Sequence, residues 1–391
     1  MAKICIATGT RADWGILTPL ADALRRSPGI ELQILATNMH LLDCYGHTAD
    51  EIEAAGFPID ARVTMPVHPE GGALSRATAM GTCLAGCAEA FAKLLPDAVI
   101  VLGDRFEMLA VASAAVVMNI PIIHISGGEI TGGAIDDSIR HAITKLATLH
   151  LVSAEPYRRR VIQMGEKPEN VINTGSLGVW NMLHRPCMSR EELAREIGFD
   201  AAKPFVVATF HPATLDSVSP SERVREMLSA LDRHRGLQVI LTYPNNDTGS
   251  GEIIHEIGQW AERNSDRVFL IKSLGLRRYL SAIREAEFVI GNSSSGIIEV
   301  PAVGTPVINI GIRQQGRLHG PGVIDCGDDC ESIAEAIEKA LSREFREVAR
   351  KGENPYFSPD TLDKSVIAIQ NFAARLPVGP KQFHDIDFET D

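Results

Sequence analysis

The residues best suited to acid–base chemistry lie between His124 and His141. This stretch holds three carboxylates (Glu129, Asp136 and Asp137), two histidines and four glycines within eighteen residues. Glycines let the backbone approach a ligand closely, and carboxylates can act as general acid and base. Helix capping by Asp136 or Asp137 and a solvated Glu129 would explain the acids without a ligand. Because packing does not require this density of polar residues, the stretch predicts a site.

Other polar residues of the first half follow predicted strands. Arg11 lies in a glycine-flanked turn ahead of a helix, where it could contact a phosphate. His40 follows the second strand, and Asp104 and Arg105 follow a central strand. Each also has a plainer interpretation: a turn cation, a packed histidine, or a helix N-cap in the case of Asp104. Because parallel strands release the chain at one edge of the sheet, we expect these residues to gather there.

The second half repeats this arrangement with hydroxyls and amides in place of most of the acids. The residues that follow its strands are His211, Asn245, Ser293, Ser294, Glu299 and Arg313. Serine hydroxyls and a glycine at a helix N-terminus can cradle a phosphate, although a serine-rich N-cap is the simpler interpretation. The location of all these segments at one sheet edge favours an anionic ligand.

Short apolar strands alternate with longer helical patterns along the chain, the first predicted helix being Thr18–Arg26. The predicted strands are Lys3–Thr8, Glu31–Thr37, Ala98–Leu102, Pro121–Ser126, Leu149–Ser153, Val171–Thr174, Phe205–Phe210, Gln238–Thr242, Val268–Ile271, Phe288–Gly291, Pro306–Ile310 and Val323–Asp325. Near-continuous apolar strands between helices indicate parallel sheets covered on both faces. Two successive sets predict two Rossmann-like, doubly wound α/β domains facing a deep cleft, at residues 1–180 and 181–365, with a C-terminal helix and tail at 366–391.

Composition disfavours several classes of partner. The 391 residues carry a formal net charge of −12, which disfavours nucleic acid and anionic membranes but does not oppose a small anionic ligand. The sequence lacks an apolar run of membrane-spanning length and a signal-peptide pattern, so we expect a cytoplasmic protein. The seven cysteines lack CxxC spacing. Buried thiols are therefore favoured over a zinc site made from the Cys83–Cys87 and Cys326–Cys330 pairs.

Eight segments, in this order, resemble the hydrolysing UDP-N-acetylglucosamine 2-epimerases of sialic acid biosynthesis, and the bacterial capsule type in particular. They are GTRADWG, NMH, GDRFE, HISGGE…DDSIRHAITK, FHP, YPNNDTGS, GNSSSGIIEVP and GIRQ, within residues 3–375. The resemblance implies a glycosyltransferase-B-like fold and conversion of UDP-N-acetylglucosamine and water into N-acetylmannosamine and UDP, without a metal or other cofactor. In that reaction, loss of the C2 proton and of UDP leaves a 2-acetamidoglucal, to which water then adds.

The resemblance also implies roles for individual residues. The candidate catalytic residues are Asp104, Glu129, Asp136, Asp137 and His40. The candidate contacts to the nucleotide sugar are Arg11, Arg105, His124, His211, Asn245, Ser293, Ser294, Glu299 and Arg313. Ser293 and Ser294 are expected at the diphosphate, and Glu299 at the ribose hydroxyls, since a carboxylate can accept two hydrogen bonds from a diol. The family also implies a homodimer formed through the first domain, with Ala77–Leu95 as a candidate face.

Two positions distinguish this chain within the resemblance. Ser126 stands where several family members have a glutamate (HIEGGE), which leaves the base to Asp104, Glu129 or the Asp136–Asp137 pair. Ile16 stands where the non-hydrolysing epimerases carry a lysine, which favours the hydrolysing branch. Three alternatives stay open: a sister enzyme acting on UDP-2,4-diacetamido-2,4,6-trideoxyglucose for legionaminic acid, a glycosyltransferase of the same fold, and an inactive nucleotide-sugar sensor.

Overall fold

A computed structural model describes residues 1–43, 46–67, 72–132, 135–213, 218–245, 247 and 249–387. The chain divides into two compact units. The first contains Met1–Glu129, Asp136–Trp180 and Tyr356–Asp391, and the second contains Ile130–Ile135 and Asn181–Pro355. The chain therefore passes from one unit to the other four times.

The first unit is built on a parallel seven-stranded sheet. Its strands are β1 (Ala2–Thr8), β2 (Ile30–Thr37), β3 (Ala61–Val63), β4 (Ala98–Leu102), β5 (Ile122–Ile125), β6 (Leu149–Val152) and β7 (Val171–Asn173). They lie in the order β3-β2-β1-β4-β5-β6-β7. The order reverses between β1 and β4, and in open α/β sheets ligands bind beyond the carboxyl ends of the strands at such a reversal.

The second unit repeats this topology with six strands. They are β8 (Phe205–Thr209), β9 (Gln238–Thr242), β10 (Val268–Ile271), β11 (Val289–Gly291), β12 (Val307–Ile310) and β13 (Val323–Cys326). Their order is β10-β9-β8-β11-β12-β13, and all the pairs are parallel. The reversal here lies between β8 and β11. Two Rossmann-like α/β domains, as the sequence predicts, are thus confirmed.

Helices cover both faces of each sheet. The described helices are α1 (Arg11–Arg25), α2 (Ala49–Ala54), α3 (Gly72–Leu94), α4 (Phe106–Val117), α5 (Asp136–Leu146), α6 (Glu155–Gln163), α7 (Leu177–His184), α8 (Arg190–Ile197), α9 (Pro220–Asp232), α10 (Ser250–Arg263), α11 (Gly275–Glu285), α12 (Ser294–Ile298), α13 (Cys330–Leu341), α14 (Arg343–Ala349) and α15 (Thr361–Ala373). Strand β1 shows why the sheet is covered twice, because Ile4 and Ile6 enter one apolar core while Cys5 and Ala7 enter the other.

Two local predictions need correction. The edge strand β3 escapes sequence analysis because it has only three residues. Helix α1 begins at Arg11 rather than Thr18, because Thr10 and Asp13 form a capping box: each side chain accepts the other residue's backbone N–H.

The unit boundaries also differ from the sequence prediction, since residues 130–135, expected in the first domain, belong to the second unit. A second difference lies on the C-terminal side. Residues 356–365, expected in the second domain, belong to the first unit. Helix α15, expected to be separate, buries Ala368, Ile369 and Phe372 in one core of the first unit. Tyr356 starts this return, since its hydroxyl meets that of Tyr157 at 2.8 Å within the first unit.

The remaining whole-chain predictions concern membranes and oligomers. None of the helices in the described part of the chain is long and apolar enough to cross a membrane. Helix α3 buries one side in the first unit and exposes Leu74 and Leu84. Dimerisation through this helix stays a prediction.

Gly291, at the end of β11, is required by the close approach of β8. Its φ is +141°, and a Cβ there would lie 1.8 Å from the carbonyl oxygen of Thr209. We expect Gly291→Ala to lower the free energy of unfolding by about 3 kcal/mol, measured by urea denaturation. Gly258→Ala on α10 is the matched control, because its Cβ would enter open space and should stabilise the helix by roughly 0.5–1 kcal/mol. Equal stability of the two variants would contradict this reading of Gly291.

Candidate functional site

The ion pair between Asp104 and Arg140 organises the carboxyl edge of the first sheet. Asp104 follows β4, and its carboxylate accepts from the guanidinium of Arg140, a residue of α5 that is 2% exposed. The alternative that Asp104 caps α4 is wrong, because the N-cap of that helix is Arg105. The ion pair fixes the position of a partly exposed carboxylate at the sheet edge.

Glu129 is held by a residue that the sequence analysis did not select. Its carboxylate is almost fully buried and accepts a hydrogen bond of 2.7 Å from the hydroxyl of Ser153, which directly follows β6. Ser126, between β5 and Glu129, has a left-handed backbone with φ of +64° and donates its N–H to the carbonyl of Leu151. Left-handed backbone at a non-glycine residue is strained and is concentrated at functional sites.

The two adjacent acids lie in the first turn of α5. The carboxylate of Asp137 is 3.5 Å from Nε2 of His141, one turn further along the helix. Burial lowers the pKa of His141, although Asp137 opposes this effect. Acids in a first helical turn also stabilise the helix, so the capping interpretation of Asp136 and Asp137 stays open beside the catalytic one.

A second polar cluster surrounds the turn after β1. The side chain of Arg105 donates to the fully buried Glu107 at 2.7 Å, and a Cβ at Gly9 would collide with Glu107. Burial raises the pKa of Asp13 to about 7, even though Arg105 lowers it. Burial also lowers the pKa of Arg11 to about 10. The N–H groups of Thr10 and Asp13 are taken by the capping box, and the side chains of Arg11 and Arg105 are the cations of this cluster.

His40 and His124 are fully buried, and each has both ring nitrogens hydrogen-bonded. The ring of His40 meets the hydroxyls of Thr8 and Thr48 at 2.9 and 2.8 Å. The ring of His124 meets the carbonyl of Gly103 and the hydroxyl of Thr144. Burial lowers the pKa of His40 to about 4 and that of His124 to about 3. This geometry suits neutral groups that support the sheet edge better than groups that touch a ligand.

Asn292 connects the strand ends of the second sheet. Its side chain accepts the N–H of His211 at 2.7 Å and donates to the carbonyl of the same residue at 2.8 Å, which ties the ends of β8 and β11 together. The carbonyl of Asn292 accepts from the side chains of Arg313 and Gln314, which follow β12. The side chain and the carbonyl of Asn292 together therefore connect the loops that follow β8, β11 and β12.

The remaining candidates of the second unit lie around this amide. The N–H of Asn245 donates to Nδ1 of His211 at 3.2 Å, which adds the end of β9. Ser293 is the N-cap of α12 without a side-chain capping bond, and Ser294 is the first residue of this helix. Glu299 follows α12 and is largely buried. The structure thus brings His211, Asn245, Ser293, Ser294 and Arg313 to the ends of neighbouring strands, while Glu299 lies at the far end of α12.

The glycine-rich segment Ile130–Ile135 belongs to the second unit. Arg317, itself buried, donates to the carbonyl of Ile130 and to the hydroxyl of Thr131, both at 3.1 Å. A Cβ at Gly132 would lie 3.2 Å from the carbonyl oxygen of Gln315. Arg317 therefore holds Ile130 and Thr131, the two residues that directly follow Glu129.

Metal binding finds no support among the described residues. No group of three histidine, cysteine or acidic side chains there could hold an ion. The Sγ atoms of Cys83 and Cys87 lie 3.9 Å apart on the buried side of α3, as expected for packed thiols. The predicted absence of a metal stays a prediction for the whole chain.

Comparison with known proteins gives this geometry a family. A family model described as UDP-N-acetylglucosamine 2-epimerase matches residues 22–370. The chain belongs to this family. It is 38% identical to the Campylobacter jejuni GDP/UDP-N,N'-diacetylbacillosamine 2-epimerase (hydrolyzing), over 88% of this chain and 89% of the other. It is also 38% identical to the Escherichia coli polysialic acid biosynthesis protein P7, over 99% and 98% of the two chains.

A solved structure from the same epimerase family shares the fold. The crystal structure of Neisseria meningitidis UDP-GlcNAc 2-epimerase bound to UDP-GlcNAc matches with a TM-score of 0.78. The match covers 94% of this chain and 100% of that one at 16% identity. Together with the two Rossmann-like sheets, this likeness confirms the predicted glycosyltransferase-B-like fold class.

Several residues of this epimerase edge were missed by sequence analysis. Glu107 and Asp13 lie inside the GDRFE and GTRADWG segments, so the sequence shows that they are near candidate residues. The sequence does not show that Glu107 is buried beside the cation of Arg105. Ser153 and Arg317 act on partners 24 and 186–187 residues away. In the sequence, Asn292 is indistinguishable from a residue of the serine-rich helix cap that follows it. Its contact with His211 depends on the order of the strands in the sheet.

Asp13 predicts a pH-dependent stability. Its folded-state pKa of about 7 lies above the roughly 3.9 of an unfolded chain, so Asp13 lowers stability as the pH rises through that interval. We expect Asp13→Asn to be more stable than the wild type at pH 8, by up to about 4 kcal/mol, and nearly equal to it near pH 4. Urea unfolding at several pH values measures this, with the exposed Asp363→Asn as control. A difference that does not change with pH would contradict the assignment.

Proposed function

We propose that this protein is a hydrolysing UDP-sugar 2-epimerase that converts UDP-N-acetylglucosamine and water into N-acetylmannosamine and UDP. The observation that carries the proposal is the pair of supported carboxylates at the first sheet edge, Asp104 on Arg140 and Glu129 on Ser153. Family membership supplies the reaction class. The relative named as hydrolysing supports the version in which water is consumed.

The first step is an elimination. A carboxylate removes the proton from C2 while the bond between C1 and the UDP oxygen breaks, which leaves a C1–C2 double bond. The C2 proton is weakly acidic, so the base must already be in place when UDP departs. Asp104 is the preferred base because Arg140 fixes it and 20% of its side chain is exposed, whereas the Glu129 residue is only 2% exposed.

The second step adds water to the double bond. The hydroxyl joins C1 and a proton joins C2 on the face opposite to the one that lost it, so the configuration at C2 inverts. This addition needs one group that activates water and one that delivers the proton. Asp136 and Asp137 at the start of α5, and Glu129 beside Ser153, are the proposed groups. In this scheme His40 and His124 are neutral, buried groups that hold neighbouring residues of the sheet edge by hydrogen bonds.

The departing UDP requires stabilisation of its charge. In the second unit, Ser293 and Ser294 offer hydroxyls, and Arg313 offers a cation held at the carbonyl of Asn292. Glu299 is proposed to accept from the ribose hydroxyls, while His211 and Asn245 contact the nucleotide. In the first unit, Arg11 and Arg105 are the proposed cationic contacts to the nucleotide sugar. A chain with a net charge of −12 can thus bind a single dianion.

A second substrate has specific support. UDP-2,4-diacetamido-2,4,6-trideoxyglucose, the UDP-linked N,N'-diacetylbacillosamine, matches the UDP form in the name of the Campylobacter jejuni relative, which includes both GDP and UDP. The relative from Escherichia coli carries a polysialic acid name at the same 38% identity. Both substrates carry a proton at C2 and UDP as the leaving group, so the same elimination applies to each.

Incubation with each nucleotide sugar tests the proposal and separates the substrates. We expect UDP and a free 2-acetamido sugar from UDP-N-acetylglucosamine, measured by UDP release and by chromatography of the sugar. If UDP is released only from the trideoxy compound, the second substrate is the correct one. UDP binding without turnover of either compound would replace the enzyme by a sensor, and release that depends on an added acceptor would indicate a glycosyltransferase.

Asp104→Asn tests the proposed base directly. The amide keeps the size of the side chain but cannot accept the C2 proton, so we expect kcat to fall by about a hundredfold to ten-thousandfold. UDP affinity, measured by calorimetry, should stay within about twofold. Asp363→Asn, on the exposed side of α15, is the control and should retain full turnover. Unchanged turnover in Asp104→Asn would remove this residue from the catalytic set.

A further inference from the structure

The chain that follows α15 returns to the carbonyl end of α5. The ammonium of Lys381 donates to the carbonyls of Lys145 and Ala147, each at 2.6 Å, and lies 3.5 Å from that of Thr144. The last carbonyls of a helix have no partner within the helix, and a cation there also complements the helix dipole. One side chain, more than 230 residues further along the chain, therefore caps α5.

A buried carboxylate fixes this ammonium from the other side. Glu166 accepts from Lys381 at 2.8 Å, from Lys145 at 2.6 Å and from His150 at 3.0 Å, and its side chain is only 3% exposed. Burial alone would raise the pKa of Glu166, but the three donors hold it at about 2. The carboxylate is therefore ionised at neutral pH and keeps Lys381 in place.

The residues after Lys381 hold the same segment down. The ring of Phe383 lies against Gly165, where a Cβ would come within 2.2 Å of it, and the ammonium of Lys145 stands 4.8 Å from the ring centre. The N–H of His384 donates to the carbonyl of Gly165 at 2.9 Å. Residues 381–384, which we name the strap, thus contact α5 and Gly165, although Phe383 itself is 64% exposed.

The position of helix α5 matters because this helix carries several of the candidate site residues. Its first turn holds Asp136 and Asp137, and Arg140 in its middle holds Asp104. In the sequence, α5 follows Ile130 and Thr131, which Arg317 contacts within the second unit. Thr144 joins the last turn to His124 at 3.2 Å, so a shift of this turn would reach the sheet.

We propose that Lys381 is a positioning residue, whose ammonium anchors the carbonyl end of α5 so that Asp136, Asp137 and Arg140 keep their places at the sheet edge. The anchoring stands on the contacts of the first unit alone. Its effect on turnover rests on the proposed epimerase function. The strap touches neither Asp104 nor Glu129 among the contacts described, so its action passes through the helix.

Lys381→Met tests the anchor in the full chain, with Lys364→Met on α15 as control, because Lys364 contacts only Asp360 and Ser358 among its described partners. We expect the amides of residues 143–147 to exchange hydrogen about tenfold faster in Lys381→Met and unchanged in Lys364→Met. We expect kcat to fall about fivefold while KM and the affinity for UDP stay within about twofold. Lys381→Arg should restore most of both losses, since a guanidinium also donates to several carbonyls.

Each result decides one part of the proposal. The proposal would be overturned if Lys381→Met left hydrogen exchange of the α5 amides unchanged, or if exchange became faster while kcat stayed at the wild-type value. A loss of UDP affinity as large as the loss of kcat would also overturn it. Phe383→Ala removes the ring from Gly165 without touching the ammonium, and should show the same changes at smaller size even if Lys381→Met folds poorly. If the wild type turns over neither nucleotide sugar, the proposed function fails, and the exchange measurement alone decides the anchor.

Discussion

All strands of a parallel sheet release the chain at the same edge, and this constraint places many of the candidate groups of the protein. In the first unit it brings the residues after β1, β4, β5 and β6 together, among them Asp104 and Glu129. In the second it does the same for His211 and Arg313. The segments that carry them are far apart in the sequence, so only the strand order makes them neighbours.

Burial then fixes the positions of these side chains, because each needs a hydrogen-bond partner within the protein. A polar group removed from water must find a partner, and the partners here are long-range: Arg140 for Asp104, Ser153 for Glu129, and the Asn292 side chain for the backbone of His211. Burial also lowers the pKa of His40 to about 4, so its ring is neutral at pH 7. The edge is therefore pre-organised before any ligand binds, as positioned acid–base chemistry requires.

Sequence analysis predicts what is periodic or local and misses what is long-range. Near-continuous apolar strands predict both sheets, and only the three-residue β3 escapes. The start of α1 was missed because the Thr10–Asp13 capping box precedes the apolar pattern. The return of the chain at Tyr356 and the capping of α5 by Lys381 carry no local pattern, since each depends on a partner more than 190 residues away. Acids and serines are recognisable by type, but their supports are visible only in the fold.

Proton NMR of the reaction in deuterated water tests the central claim most directly, because it follows the atom at which the chemistry occurs. If a carboxylate removes the C2 proton and solvent returns one on the opposite face, UDP-N-acetylglucosamine must yield free N-acetylmannosamine that carries deuterium at C2. A product that retains the original C2 proton, or free N-acetylglucosamine as the product, would contradict the account.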